Sequence, residues 1–296
     1  MAAVLGFVTS VALANAPRVL FFAGKGSHGF YRHEYNAGSI LLATALNRSG
    51  LGLRAEVFHA ARGTEWPSEE QFKDVAAVIL FCDGGPGNPF RRHVGELGAL
   101  HARGVGIGLL HWALGVETPE ATAAVVGWVG FFYEPGRSAA PVWKPRFVNL
   151  PEHPVTRGVG PFAIQDEWYI NLSNGGRPPD IVPILTAVPP QNLLPEAGPP
   201  HLSAAPARDA VRRGDVQTLM WVKESQGGGR GFGFTGAHFH DNWQDDDFRK
   251  IVLNAVVWLA RLEVPAGGVA SPTPSNDELL LNQDEPVDPR RFRTSR

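Results

Sequence analysis

The chain has 296 residues, 44% of them hydrophobic and 19% charged, with a formal net charge of −2. That composition supports a globular core and gives no electrostatic reason to bind nucleic acid or an anionic membrane. The single cysteine, Cys82, excludes an intrachain disulfide and a cysteine-rich zinc centre. Residues Ala2 to Leu13 are apolar or small, and Ala14-Asn15-Ala16 has the small-x-small form of a signal-peptidase site. The run is too short to span a bilayer, and no Lys or Arg precedes it. The expectation is a signal peptide over 1–16, a mature chain beginning near Pro17 without an integral membrane segment, and export to the periplasm. A retained leader would mean a cytoplasmic protein.

In chain order, "RVLFFAG" (18–24) reads as a buried strand. Residues 34–49 read as a helix with Ile40, Leu41, Leu42, Ala45 and Leu46 as its apolar stripe. "LRAEVFHA" (53–60) and "VAAVILFCD" (75–83) are further strands. A helix follows over about 90–103 with Pro89 in its first turn, and then "VGIGLLHW" (105–112) forms a strand. Strands alternating with helices predict an α/β fold: a doubly wound, mainly parallel, three-layer sheet of flavodoxin-like type. The second half is looser. It offers strands at 180–187, 217–224 and from Phe232, a Pro/Ala-rich insertion at 188–214, and a closing helix over 245–262. The ordered domain spans 17–267, and the Gly-, Pro- and Ser-rich stretch 268–296 reads as a mostly disordered tail.

In an open parallel sheet, ligands bind outside the carboxyl ends of the strands. Four such ends here carry polar groups: "SHGFYRHEY" with His28, Arg32, His33 and Glu34; Cys82-Asp83; His111-Trp112; and "TGAHFHDNW" with His238, His240 and Trp243. Several imidazoles brought to one edge are costly to bury without hydrogen-bond partners or a ligand. His238 and His240 share a face if the strand continues; they could be metal ligands, acid/base groups or polar residues at a strand end. "QDEWYIN" adds Asp166 and Glu167 beside Trp168 and Tyr169, carboxylates in an aromatic setting that suits a sugar. The Gly-rich stretches fit neither a P-loop nor a G-x-G-x-x-G turn, which argues against a nucleotide cofactor.

Together, "SHG…RHEY", "GVGIGLLHWA", "HPVTRGVGPF", "DEWY" and "GRGFGFTGAHFHDNW" resemble the trehalose-utilisation (ThuA-like) family, in order, from about Arg18 to Leu262. The resemblance implies a fold similar to class I glutamine amidotransferases and a link to disaccharides and their 3-keto derivatives. It places His33 and Glu34 through "RHE", His111 through "GLLH", Asp166, Glu167 and Tyr169 through "DEWY", and His238 through "TGAH". The related amidotransferases carry a nucleophilic cysteine at the turn where this chain has His111, which argues against glutamine hydrolysis.

The expected function is enzymatic: isomerisation or eliminative cleavage of a disaccharide or 3-keto-glycoside. His111, His238, His33 and Glu167 are the candidate catalytic groups. Asp166, Tyr169, His240, Trp112, Trp243 and Glu34 are the candidate substrate contacts. A divalent metal such as zinc would sit on His33, His111 and His238. The alternative is a non-catalytic carbohydrate-binding domain relying on Trp112, Trp168 and Trp243.

Overall fold

A computed structural model describes residues 16–177, 180–225 and 228–284. The expected signal peptide, 1–16, therefore lies outside the described residues except for its last position. The apolar runs read from the sequence become β1 (Arg18–Ala23), β2 (Arg54–His59), β3 (Val75–Phe81) and β4 (Gly106–Leu110). Between them lie α1 (Tyr35–Arg48), α2 (Glu69–Phe72), α3 (Val94–Ala102) and, after β4, α4 (Pro119–Trp128). Four two-residue strands follow: β5 (Val142–Trp143), β6 (Arg146–Phe147), β7 (Phe162–Ala163) and β8 (Asp166–Glu167). Then come β9 (Val182–Ala187), α5 (Pro200–Ser203), α6 (Ala205–Arg213), β10 (Gln217–Glu224), β11 (Arg230–Phe234), α7 (Asp246–Leu259) and α8 (Asn276–Leu279).

The main sheet has the order β2-β1-β3-β4-β11-β10-β9. Neighbours from β2 to β11 pair in parallel, while β10 runs antiparallel to both β11 and β9. Alternation along each strand divides the core into two layers. Val19, Phe21, Ile79 and Phe81 pack with Leu42 and Leu46 of α1 and with Ile251, Val252 and Ala255 of α7. Leu20, Phe22, Val78, Leu80, Ile107 and Leu109 face the other way, onto Leu97 and Leu100 of α3 and Val125 of α4. The result is a three-layer, doubly wound α/β fold with β4 in the sheet interior.

Two segments depart from the expectation. The Pro/Ala-rich insertion contains α5 and α6, the latter burying Ala207, Ala210 and Val211 and ending at Gly214 with φ +73°. The tail read as disordered is folded through Asp284. Val269 and Leu279 are buried in the core, and Ser275 with Glu278 forms a capping box that starts α8. Two well-placed apolar side chains and a cap suffice to order a segment whose composition resembles a linker. Among the described residues, no helix is long and apolar enough to cross a membrane.

Candidate active site

The site forms where β1, β3, β4 and β11 end. Beyond β4 the chain turns sharply: His111 has φ +50° and opens a 3-10 turn. His33, in the loop between β1 and α1, has φ +52°, and Ala237, next to His238, has φ +84°. Left-handed backbone at a non-glycine residue costs about 1–2 kcal/mol. Three such positions flanking one another mark a place where geometry is held at the expense of stability.

These turns bring His33, His111 and His238 into contact. His33 Nε2 lies 3.0 Å from His111 Nε2 and 3.0 Å from His238 Nδ1. Glu167 Oε2 lies 3.5 Å from both His111 Nε2 and His238 Nδ1. Glu167 reaches the edge because β8 pairs with β5 and folds the irregular segment back over the sheet. His33, His111 and His238 are buried, and Glu167 is partly open. Tyr169 places its hydroxyl 3.1 Å from His111 Nε2, and its ring stacks on that imidazole.

The hydrogen-bond partners fix which nitrogens carry protons. His111 Nδ1 is 2.8 Å from the Thr235 carbonyl, which can only accept, so Nδ1 is protonated and Nε2 presents a lone pair. The Tyr35 hydroxyl donates to Asp83 Oδ1 at 2.6 Å, leaving its oxygen to accept from His33 Nδ1 at 2.7 Å. His33 Nε2 therefore also presents a lone pair. Two acceptor nitrogens thus face each other at 3.0 Å. Neither can be protonated readily: burial and the neighbouring imidazoles lower His33 to about 2 and hold His111 well below its ordinary value. Burial, then His28 and Arg32, lower His238 to about 3. A tetrahedron with zinc–nitrogen bonds of about 2.0–2.1 Å has edges of roughly 3.3 Å. The cage has the size, the converging lone pairs and the adjacent carboxylate that a cation needs; the buried His/Glu cluster could bind a metal.

Burial, and then Asp166, push the Glu167 carboxyl up to about 8. Asp166 itself is fully buried and serves the fold, not the substrate contact expected of it. Its Oδ1 accepts the N–H groups of Glu167 and His238, and its Oδ2 those of Ala237 and the Asn242 side chain. Burial raises its pKa to about 6 against the pull of these donors. It ties β8 to the turn carrying His238.

Other expected contacts also lie elsewhere. His240 does not share a face with His238, because β11 ends at Phe234 and residues His240–Gln244 form a 3-10 turn. His240 is buried with its ring edge-on to Tyr31. Trp243 and Trp168 belong to the core, both against Phe248. Glu34 is buried, and its carboxylate accepts the backbone N–H groups of Tyr31 and Asp284, which secures the loop. Trp112 is half-buried and edge-on to Tyr133 and Tyr169, behind the cluster. Tyr35 escapes sequence reasoning because it reads as an apolar helix position, and Asp83 because a lone carboxylate at a strand end is common. An open cleft of about 680 Å³, lined by Gly24, Lys25, Ser27, His28, Asp83 and Gly87 among others, adjoins the cluster through His28 and Asp83.

Cys82 is fully buried in the core, where burial raises its thiol pKa, so it does not act as a nucleophile. A comparison with curated proteins gives no match. Among solved structures, a ThuA-like protein from Bacteroides uniformis aligns with a TM-score of 0.55 at 18% identity, over 82% of this chain and 92% of its own. A second, from Parabacteroides merdae, aligns with a TM-score of 0.51 at 15% identity, over 83% and 90%. At these identities the likeness establishes the fold alone. The sequence model for trehalose utilisation, ThuA, matches residues 18–259, every strand of the main sheet and every member of the His/Glu cluster, and the chain belongs to that family.

Proposed function

We propose that this protein is an enzyme of carbohydrate metabolism that isomerises or eliminatively cleaves a disaccharide or 3-keto-glycoside at the His33–His111–His238–Glu167 cluster. The supporting observation is the pair of lone-pair nitrogens facing each other in a buried cage. Three imidazoles would hold a divalent ion, zinc by donor type, and leave one position open beside Glu167. When bound, the ion would polarise a ketone oxygen and favour the enolate.

Glu167 is placed to act as the base. Burial raises its pKa in the metal-free protein, and a cation on the imidazole nitrogens 3.5 Å away would favour the ionised form that accepts a proton. It would take the proton from the carbon next to the ketone while the C–H electron pair forms a carbon–carbon double bond and the carbonyl π pair moves to the ketone oxygen. Isomerisation follows when the former ketone oxygen has gained a proton, the hydroxyl on the deprotonated carbon loses its own to form the new ketone, and the carbon–carbon pair takes a proton at the former carbonyl carbon. Elimination follows when the oxygen pair re-forms the original ketone and the shifted double bond expels the glycosidic oxygen, which leaves with a proton. The Tyr169 hydroxyl, 3.1 Å from His111 Nε2, would be positioned to donate a hydrogen bond to the substrate's ketone oxygen. The non-catalytic binding reading is weakened because two of its three aromatic platforms, Trp168 and Trp243, are buried.

The test is to incubate the purified protein with disaccharides and their 3-keto forms and to analyse metal in the same sample. The proposal expects turnover of a keto-sugar, about one divalent ion per chain, and loss of turnover with retained metal in Glu167→Gln. Absence of both metal and turnover across the panel would overturn it. We also propose export: mature protein from its native cell should begin near Pro17, and recovery of Met1 or Ala2 on the soluble protein would refute this.

A further inference from the structure

We propose that Tyr35 and Asp83 are positioning residues that lock His33 in the tautomer able to bind a cation; this rests on the metal-site reading above. Within the cluster, only a proton on His238 Nδ1, 3.0 Å from His33 Nε2, would favour that form, and a His238 that binds a cation through Nδ1 carries no proton there. If its proton moved from Nδ1 to Nε2, His33 would donate to the His111 lone pair at 3.0 Å and close the cage with an ordinary hydrogen bond. That state satisfies both rings and abolishes the site.

The alternative is blocked from the far side of the ring. Asp83 Oδ1 accepts from the Tyr35 hydroxyl at 2.6 Å and from the Ser27 hydroxyl at 2.6 Å. A carboxylate offers no proton in return, so both hydroxyl hydrogens point at Asp83. The Tyr35 oxygen at 2.7 Å and the Ser27 oxygen at 3.4 Å then present only lone pairs to His33 Nδ1. The proton is held on Nδ1, and Nε2 is delivered bare to the cage. Tyr35 is held rigidly in place, since it is the first residue of α1, fully buried, with its ring edge-on to Phe81 at 4.9 Å. His111 has a simpler lock, the Thr235 carbonyl. Partners that orient a ligating imidazole typically change metal affinity by about 10–100-fold when removed.

The experiment is nitrogen-15 NMR of the histidine side chains in the metal-free full chain, comparing wild type with Tyr35→Phe and Asp83→Ala, followed by zinc titration of each. Wild type should show His33 protonated at Nδ1. Tyr35→Phe, which keeps the buried ring, should shift His33 toward the Nε2-protonated form and weaken zinc binding about 10–100-fold. Asp83→Ala should do the same by freeing the Tyr35 hydroxyl to donate to Nδ1. An Nε2-protonated His33 in wild type, or an unchanged tautomer in both variants, would overturn the proposal. The tautomer is read without metal, so a wild-type protein that binds no zinc would sink the metal-site reading and leave this result interpretable on its own.

Discussion

Replacing His111 by Ala separates what the ring does for the fold from what it does for the site. The side chain is fully buried between the Tyr169 ring and His33, so its deletion leaves a cavity and an unpaired Thr235 carbonyl. Together these should cost roughly 2–4 kcal/mol with or without metal. Zinc at 100-fold above its dissociation constant should stabilise the wild type by about 2.7 kcal/mol, or a rise in Tm of roughly 5–10 °C for a domain of this size. His111→Ala, lacking one of three imidazole ligands, should lose most of that increment. His240→Ala provides the control: it removes an equally buried imidazole outside the cluster, so it should be destabilised yet keep the full zinc increment. The assay is thermal unfolding of the three proteins after chelation and after zinc return, with metal counted by mass spectrometry. The same zinc increment in His111→Ala as in wild type, or none in wild type, would refute the ligand assignment.

Asp166→Ala should destabilise the fold by about 2–5 kcal/mol in urea unfolding, because each buried donor left unpaired costs about 1–3 kcal/mol; a loss under about 1 kcal/mol would mean that water replaces the carboxylate. Ala237→Gly should stabilise by about 1 kcal/mol, since glycine carries φ +84° without the left-handed penalty, and an unchanged midpoint would show that the turn is not strained there. The Cys82 thiol should react with a thiol reagent only as fast as the protein unfolds, so rapid labelling of the native protein would contradict its burial.

The sheet was legible because β1, β3 and β4 are continuous apolar runs that only a strand buried on both faces would carry. His33, His111, His238 and Glu167 could be singled out because strand ends in such a sheet share one edge, a matter of topology more than of residue type. The same reasoning overreached for Asp166, Glu34, His240 and Trp243. Polarity or aromaticity reveals that a side chain needs a partner, not whether that partner is a substrate or the chain's own backbone. Asp166 spends its oxygens on four internal N–H groups, and Glu34 spends its own on Tyr31 and Asp284. The lock on His33 was hidden because a phenol at the start of a helix looks like core. The folded segment 268–284 was hidden because Val269, Leu279 and Asp284 are too sparse to form a periodic pattern.

The folded tail has a consequence for how the protein comes into being. Asp284 accepts the backbone N–H of Gly26 across 258 positions and donates its own to Glu34 across 250, closing the chain onto its first loop. His33 meets His238 across 205 positions. During synthesis the β1–α1 loop therefore leaves the ribosome long before Asp284 can anchor it, and the cage lacks His238 until most of the polypeptide has emerged. Contacts this distant form late and slowly. If a metal ion fills the cage, its capture would come late in maturation, in whichever compartment the chain folds.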